Sequence, residues 1–256
     1  MFTGSAELYD LIDTKFTDYT TQASRLNRKI KRSHPDAASL LFIPCGTGEL
    51  ARILAADYGY RVNGIDDCPD MIERAADKNP NGSFHHCDLF GYEMHNRYDA
   101  VILLSGAFGS VENSRQLFNL LCCCKNHLSE NGILILEPWK APPEWHNGHM
   151  QMTTVEDPAL SITRISYYEN NLGNSHIHHE YIVLSSEGLL EPTEIRQLHC
   201  FSPEELTVCF ENTGLQLETS PGSPDLRNYL VAKPDETFTF RQRDQLRQNI
   251  ELSEAI

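Results

Sequence analysis

No apolar run in this 256-residue chain approaches the roughly 20 residues that cross a bilayer as a helix, so a membrane-spanning protein is not expected. Positive charge is scarce too: 21 Lys and Arg stand against 36 Asp and Glu, a formal charge of −15. Binders of phosphodiester chains normally carry a basic patch and a balance to match, so a nucleic-acid partner is not expected either. The one basic cluster, Arg25 to Arg32, has helical spacing and reads as a solvated helix face. The eight cysteines contain no C-x-x-C pair and no histidine set to complete a zinc site; they read as reduced thiols, and no metal is expected. Residues 1–30 lack an apolar signal core with a small-residue cleavage site, which leaves the cytoplasm as the expected location.

What is present is ordinary globular material. A hydrophobic fraction of 40% and a charged fraction of 22% suit a soluble protein, and the length suits one main domain with an elaboration. Residues 6–33 repeat apolar positions at helical spacing and predict an N-terminal helical segment. Ser39-Leu40-Leu41-Phe42-Ile43 is a short unbroken apolar run, the signature of a strand buried on both faces, and it stops at a glycine-containing turn.

Helix and strand patterns then alternate. Strands are expected near 61–65, 83–87, 100–104 and 133–136, and helices near 49–58, 69–79 and 114–127. This specifies a doubly wound α/β sandwich. Between 150 and 200 the period becomes two, without helices, as an antiparallel β insertion would read. Ser202-Pro203-Glu204-Glu205 opens a further helix that Gly214 closes. The last two strands, 215–218 and 228–232, are joined by too short a connection for a crossover and must pair antiparallel.

The expected fold is therefore α/β: a doubly wound, seven-stranded, mostly parallel sheet with a reversed last strand, plus the antiparallel insertion. The expected organisation is an N-terminal helical cap (1–38), a cofactor-binding core (39–140), a β insertion covering the substrate (141–200), the end of the core (201–233) and a peripheral tail (234–256).

In such a sheet ligands bind beyond the carboxyl ends of the strands, where the first strand–helix turn faces the crevice. Here that turn is Cys45-Gly46-Thr47-Gly48. Its glycines admit close backbone approach, but Gly46-x-Gly48-x-x-Ala51 also fits a loose dinucleotide fingerprint, so the loop alone leaves two adenosine cofactors open. Asp66, ending the second strand, suits the two ribose hydroxyls of either. Asp88, after Cys87 at the end of the third, could accept from an adenine amino group.

The ensemble resembles the class I S-adenosylmethionine-dependent methyltransferases. The resemblance rests on Leu41 to Gly48, on Gly64-Ile65-Asp66-Asp67-Cys68-Pro69-Asp70-Met71, on Cys87-Asp88-Leu89, on Tyr98-Asp99-Ala100-Val101 and on His127 to Leu134. Within that class the chain is similar to the bacterial sugar-amine N,N-dimethyltransferases, through Ala6-Glu7-Leu8-Tyr9-Asp10-Leu11, Asp18-Tyr19, Glu137-Pro138-Trp139 and Phe201. The resemblance implies S-adenosylmethionine as cofactor, held by Tyr9, Tyr19, Cys45, Gly46, Thr47, Gly48, Asp66, Asp67, Met71, Cys87, Asp88, Leu89, Leu104 and Ser105. It implies a small-molecule acceptor, with Arg227 close to a substrate phosphate and Trp139 in the acceptor site. Arg164, Arg196 and Arg227 come from the insertion and the terminal hairpin, which should converge over the strand ends, and arginine suits a carboxylate or phosphate. The chain departs from the family in having Asp13 where a tyrosine lies close to the reacting amine, and Cys68 where serine is usual.

Methyl transfer from a sulfonium needs no acid for its leaving group, but an ammonium acceptor must lose a proton, so a general base is worth seeking. Asp13, His127 and His146 are the candidates, and His146 and His149 flank a loop after Trp139 that could form a wall of the acceptor pocket. The expected activity is methylation of a small-molecule amine, such as an amino sugar or amino-acid-like metabolite, by a monomer or homodimer. An O-methyltransferase is the nearest alternative; a NAD-dependent oxidoreductase and a non-catalytic cofactor-binding protein are more remote.

Overall fold

The computed structural model describes residues 4–104, 111–137, 146–171, 174–186, 188–199, 201–218 and 229–235. Ser105, Trp139 and Arg227, and the tail from 236 onward, lie outside the described residues.

The N-terminal segment is two helices rather than one, α1 (Ala6–Phe16) and α2 (Tyr19–Ser33). Thr17 is extended, and the Asp18 side chain accepts from Thr21 N to start the second helix, so the break is a cap that apolar spacing alone does not reveal. Ala23, Leu26 and Ile30 form the buried stripe of α2, and Arg25, Arg28 and Arg32 face solvent.

The core follows as β1 (Ser39–Phe42), α3 (Glu49–Tyr58), β2 (Arg61–Asp66), α4 (Pro69–Lys78), β3 (Ser83–His86), β4 (Tyr98–Leu103), α5 (Ser114–Asn126) and β5 (Leu128–Leu136). An antiparallel sheet comes next: β6 (His149–Asp157), β7 (Leu160–Asn171), β8 (Asn174–Ser185), β9 (Gly188–Leu190) and β10 (Thr193–His199). The chain returns to the core with α6 (Pro203–Thr213), β11 (Leu215–Leu217) and β12 (Leu230–Pro234).

The main sheet has seven strands in the order β11-β12-β5-β4-β1-β2-β3. Strands β1 to β5 run parallel, and β12 is antiparallel to both β5 and β11. Because β2 and β3 extend to one side of β1 and β4 begins the other, the connections diverge at the β1/β4 boundary and open a crevice beyond the strand ends there.

Alternation along each strand divides the core. Leu41, Ile43, Val101, Leu103, Leu134 and Leu136 pack with Leu117, Leu121, Leu206 and Phe210 of α5 and α6. Leu40, Phe42, Ala100, Ile102, Ile133 and Ile135 pack with Leu26, Ile30, Leu50 and Leu54 of α2 and α3.

Asp99 ties the opposite, amino-terminal ends of the strands. Its Oδ2 accepts from Ala38 N (3.0 Å), Ser39 N (2.9 Å) and Ser39 Oγ (2.8 Å), and its Oδ1 from Ser129 Oγ (3.3 Å). Burial would raise its pKa, but the donors from Ala38 and Ser39 outweigh this and hold the carboxyl below its ordinary value. A carboxyl depressed in the folded state adds stability above its unfolded pKa and loses it as pH falls through the folded one. Asp99→Ala should therefore cost about 1–2 kcal/mol at neutral pH in denaturant melts, screened by partial exposure, with the gap from wild type closing below roughly pH 4.

Candidate active site

The crevice is floored by residues 44–48. Ile43 N donates to Ile102 O (2.9 Å) and Cys45 N to Ile65 O (2.8 Å), so the loop leaves the sheet still bonded to its neighbours. Gly46 has φ +54°, and a Cβ there would meet nothing within 4 Å: the outer side of the loop faces open space. Gly48 has φ +73°, and a Cβ there would stand 2.8 Å from Ala75 and 2.9 Å from Asn79, so both conformation and close approach demand glycine. Gly48 caps α3 without a side-chain bond, so the polar amino end of that helix has no side-chain acceptor at its cap.

Asp66 stands beside this loop, 5% exposed. Its Oδ2 accepts from Gly46 N (2.8 Å) and its Oδ1 from Cys68 N (3.0 Å). Each oxygen keeps a lone pair for a ligand hydroxyl. Burial pushes its pKa up to about 6, with the Asp67 charge adding to the rise and the two N–H donors opposing it. Cys68 caps α4 with no side-chain bond, so the departure from serine gives up the hydroxyl cap but keeps the backbone donor to Asp66. Asp67 is exposed, Met71 and Cys87 are half-buried, and Cys87 N donates to Asp66 O (3.1 Å). Asp88 is exposed and accepts from Phe90 N (3.0 Å). Leu104 packs partly buried with Tyr19 and Cys45 against the core, whereas Leu89 is inside it.

Helix α1 covers the crevice and is fastened on two sides. Asp10 accepts from Thr47 Oγ1 (2.7 Å), Lys78 Nζ (2.5 Å) and Arg74 Nη2 (3.3 Å), and Lys78 also reaches Glu49 at 3.2 Å. The preceding residue, Tyr9, accepts at its hydroxyl from Arg196 Nη2 (3.2 Å) on β10. Asp13 accepts from Thr17 Oγ1 (3.1 Å) and from the Tyr19 hydroxyl. Burial raises the Tyr9 and Tyr19 pKa values, so both remain phenols.

The face of the antiparallel sheet toward α1 is apolar at its two ends and polar between. Ile162 and Val183 pack with Leu8, Ile12 and Phe16 at one end; Tyr168, Ile177 and Leu198 cluster at the other. The band between holds Arg164, Ser166, His179, Tyr181, Glu194 and Arg196, brought together by the pairings Arg164↔Tyr181, Ser166↔His179 and Glu194↔His179. Glu194 accepts from Arg196 Nε (2.7 Å) and from Tyr181 Oη (3.1 Å). Ser166 bonds His179 Nδ1 at 2.9 Å. Burial first, then the nearby Arg164 and Arg196 charges, push the His179 pKa down to about 4 against the pull of Glu194, so the ring is neutral at physiological pH.

Of Asp13 and His127, the structure brings only Asp13 to this junction. His127 precedes β5, at the end of the sheet away from the crevice. Its Nδ1 bonds Cys123 O (2.7 Å), its Nε2 accepts from Met94 N (2.9 Å), and it stacks on Tyr92. With both ring nitrogens committed, it is a structural histidine. His146 and His149 stack edge to face on each other where β6 begins. The sequence reading missed Asp10, His179, Tyr181 and Glu194. Period-two alternation does assign His179 and Tyr181 to one face of β8, but a polar inward face is indistinguishable from a solvated one until α1 is seen to cover it.

Asp10→Ala would leave Arg74 and Lys78 short of a buried counter-charge, Lys78 retaining Glu49. A loss of about 2–3 kcal/mol is expected in denaturant melts, with faster proteolytic cleavage between residues 4 and 33.

A methyltransferase-domain family model matches residues 41–132. The chain is 31% identical over 231 residues, 90% of each protein, to the dTDP-3-amino-3,6-dideoxy-alpha-D-glucopyranose N,N-dimethyltransferase of Streptomyces fradiae. The sugar N-methyltransferase of Streptoalloteichus superposes with a TM-score of 0.78 at 25% identity, covering 89% of this chain and 93% of that one. An S-adenosylmethionine-bound amino pentose methyltransferase of Micromonospora echinaspora shares the fold, with a TM-score of 0.76 at 23% identity over 88% and 95% of the two chains. The open side of Gly46, the unshared lone pairs of Asp66 and the free amino end of α3 fit the adenosine and ribose of that cofactor. The chain therefore belongs to the family of S-adenosylmethionine-dependent methyltransferases that includes the sugar N,N-dimethyltransferases.

Proposed function

We propose that this enzyme methylates the amine of an amino sugar carried on a nucleoside diphosphate, with Asp13 as the group that receives the amine's proton. The observation that carries the reading is the position of Asp13. Its carboxylate is held by Thr17 and Tyr19 on the helix that joins the cofactor loop, through Asp10, to the polar face of the antiparallel sheet, through Tyr9. The names of the relatives supply the acceptor class.

S-adenosylmethionine supplies the methyl group on a sulfonium whose thioether leaving group needs no acid. The protein's tasks are alignment, exclusion of water and deprotonation. An ammonium acceptor is drawn to the Asp13 carboxylate, which takes one proton. The freed lone pair would then be the nucleophile toward the methyl group that bound S-adenosylmethionine would supply, with thioether as the leaving group. Tyr9 on α1 and Tyr19 at the start of α2, both phenols, would close the site over the reacting atoms. Asp66 would hold the cofactor through its ribose, and Asp88 would accept from the adenine.

Purified protein given S-adenosylmethionine and dTDP-3-amino-3,6-dideoxyglucose should yield a product heavier by whole methyl masses, with the label on nitrogen in tandem mass spectra. Methylation of the matching 3-hydroxy sugar instead would replace this reading with O-transfer. Asp13→Asn should lower kcat by about 10²-fold or more at pH 7 while leaving S-adenosylhomocysteine affinity within about twofold, and the deficit should shrink at high pH, where the free amine is already neutral. Cofactor binding should itself depend on pH. A hydroxyl-bound Asp66 is favoured as the carboxylate, so S-adenosylhomocysteine affinity measured by calorimetry should hold above pH 6 and weaken as pH falls through the value of about 6 in the empty site.

A further inference from the structure

The interruption between α1 and α2 converges on a single carboxylate. Thr17, half-buried, is extended at φ −112° and ψ 119°, and its N–H donates to Asp13 O (2.8 Å), which ends α1. Its hydroxyl turns to the side chain of the same residue, Oγ1 donating to Asp13 Oδ1 at 3.1 Å. Tyr19, the first residue of α2, donates its hydroxyl to Asp13 Oδ2. Each carboxylate oxygen thus has its own donor, and each of these bonds uses only one of its lone pairs.

A continuous helix could not make this grip. Residues six apart would be turned about 240° from one another around the helix axis and displaced along it by about 9 Å, so a phenol at 19 would leave on a different face from a carboxylate at 13. A threonine at 17 would share the face of Asp13, but inside a helix its hydroxyl commonly bonds back to the carbonyl of the preceding turn. The extended backbone at Thr17, with the new start at Asp18, whose carboxylate accepts from Thr21 N (2.9 Å), re-aims the chain and brings the Tyr19 hydroxyl onto Asp13. Burial raises the Tyr19 pKa and the Asp13 charge adds to the rise, so the phenol keeps the proton with which it donates.

The last torsion of an aspartate has a broad energy well, and a single donor would leave the carboxylate free to swing about the oxygen it holds. Two donors from different points of the chain fix its plane. Resting on the reading of Asp13 as proton acceptor, we propose that Thr17 is a positioning residue: its hydroxyl, opposite that of Tyr19, aims the Asp13 carboxylate, and the break between the helices is what makes the two-sided grip possible. Thr17 acts through Asp13, on the proton transfer and not on the binding of acceptor or cofactor.

The test compares Thr17→Val, which removes the hydroxyl at nearly constant shape, with Thr17→Ser, which keeps it. With S-adenosylmethionine and dTDP-3-amino-3,6-dideoxyglucose at pH 7, Thr17→Val should lower kcat about tenfold while KM and S-adenosylhomocysteine affinity stay within about twofold, and Thr17→Ser should restore kcat to within about threefold of wild type. In an Asp13→Asn background Thr17→Val should change kcat by less than about twofold, because the group it aims is gone. An equal loss in both backgrounds, or a wild-type kcat in Thr17→Val while Asp13→Asn is slow, would overturn the positioning role and leave Asp13 as the base. An unchanged kcat in Asp13→Asn, or no methylation of the amine by wild type, would overturn the reading of Asp13 and this inference with it. If Thr17→Val does not retain S-adenosylhomocysteine binding, Thr17→Ala takes its place, and a kcat equal to that of Thr17→Ser would overturn the proposal.

Discussion

The hydrogen bond between Asp10 and Thr47 is the joint on which the site depends. Without it the glycine loop would still floor a crevice, and the antiparallel sheet would still present a polar face, but no element would set one against the other. Asp10 is buried, and a buried carboxylate persists only when its charge is met. Thr47, Lys78 and Arg74 meet it from the loop and from α4, and this leaves α1 little freedom to slide along the core. Tyr9, one residue earlier, then fixes where β10 lies by its bond to Arg196.

This arrangement separates stability from chemistry by position. At the amino ends of the strands, Asp99 accepts from Ala38, Ser39 and Ser129, and His127 has both ring nitrogens committed, so these groups are engaged by the fold itself. At the carboxyl ends, Asp66 keeps capacity on both oxygens, Gly46 opens outward and Arg164 keeps a buried donor unused. The incomplete groups gather on one side of the sheet, as expected where binding energy is held for a ligand and not consumed by the fold.

Most of the architecture was legible because both periods in the sequence are strong. The apolar runs at 40–43, 101–103 and 133–136 are buried on both faces and belong to parallel strands; the alternation between 150 and 200 became the antiparallel sheet. The break at Thr17 was not legible, since an N-cap aspartate within an apolar repeat looks like any exposed acid. For the site, local motifs carried Gly46, Gly48 and Asp66. His127 misled because a histidine at a helix end gives no sign of which end of the sheet it occupies. Asp10 precedes His179 and Glu194 by more than 160 residues, and the docking of α1 on β8 and β10 depends on tertiary packing that no local pattern encodes.

Asp66 has one more consequence. Its pKa is higher in the folded chain than in the unfolded one, so the folded state takes up the proton more readily and becomes less stable as pH rises through about 6. At neutral pH the empty enzyme thus carries a strained, ionised carboxylate that its own backbone donors only partly relieve. The sheet tolerates a local weakness at an acceptor prepared in advance, and hydroxyl donors brought by a ligand would return the lost stability on binding. The charge that makes the empty protein softer is the one that makes the loaded protein firm.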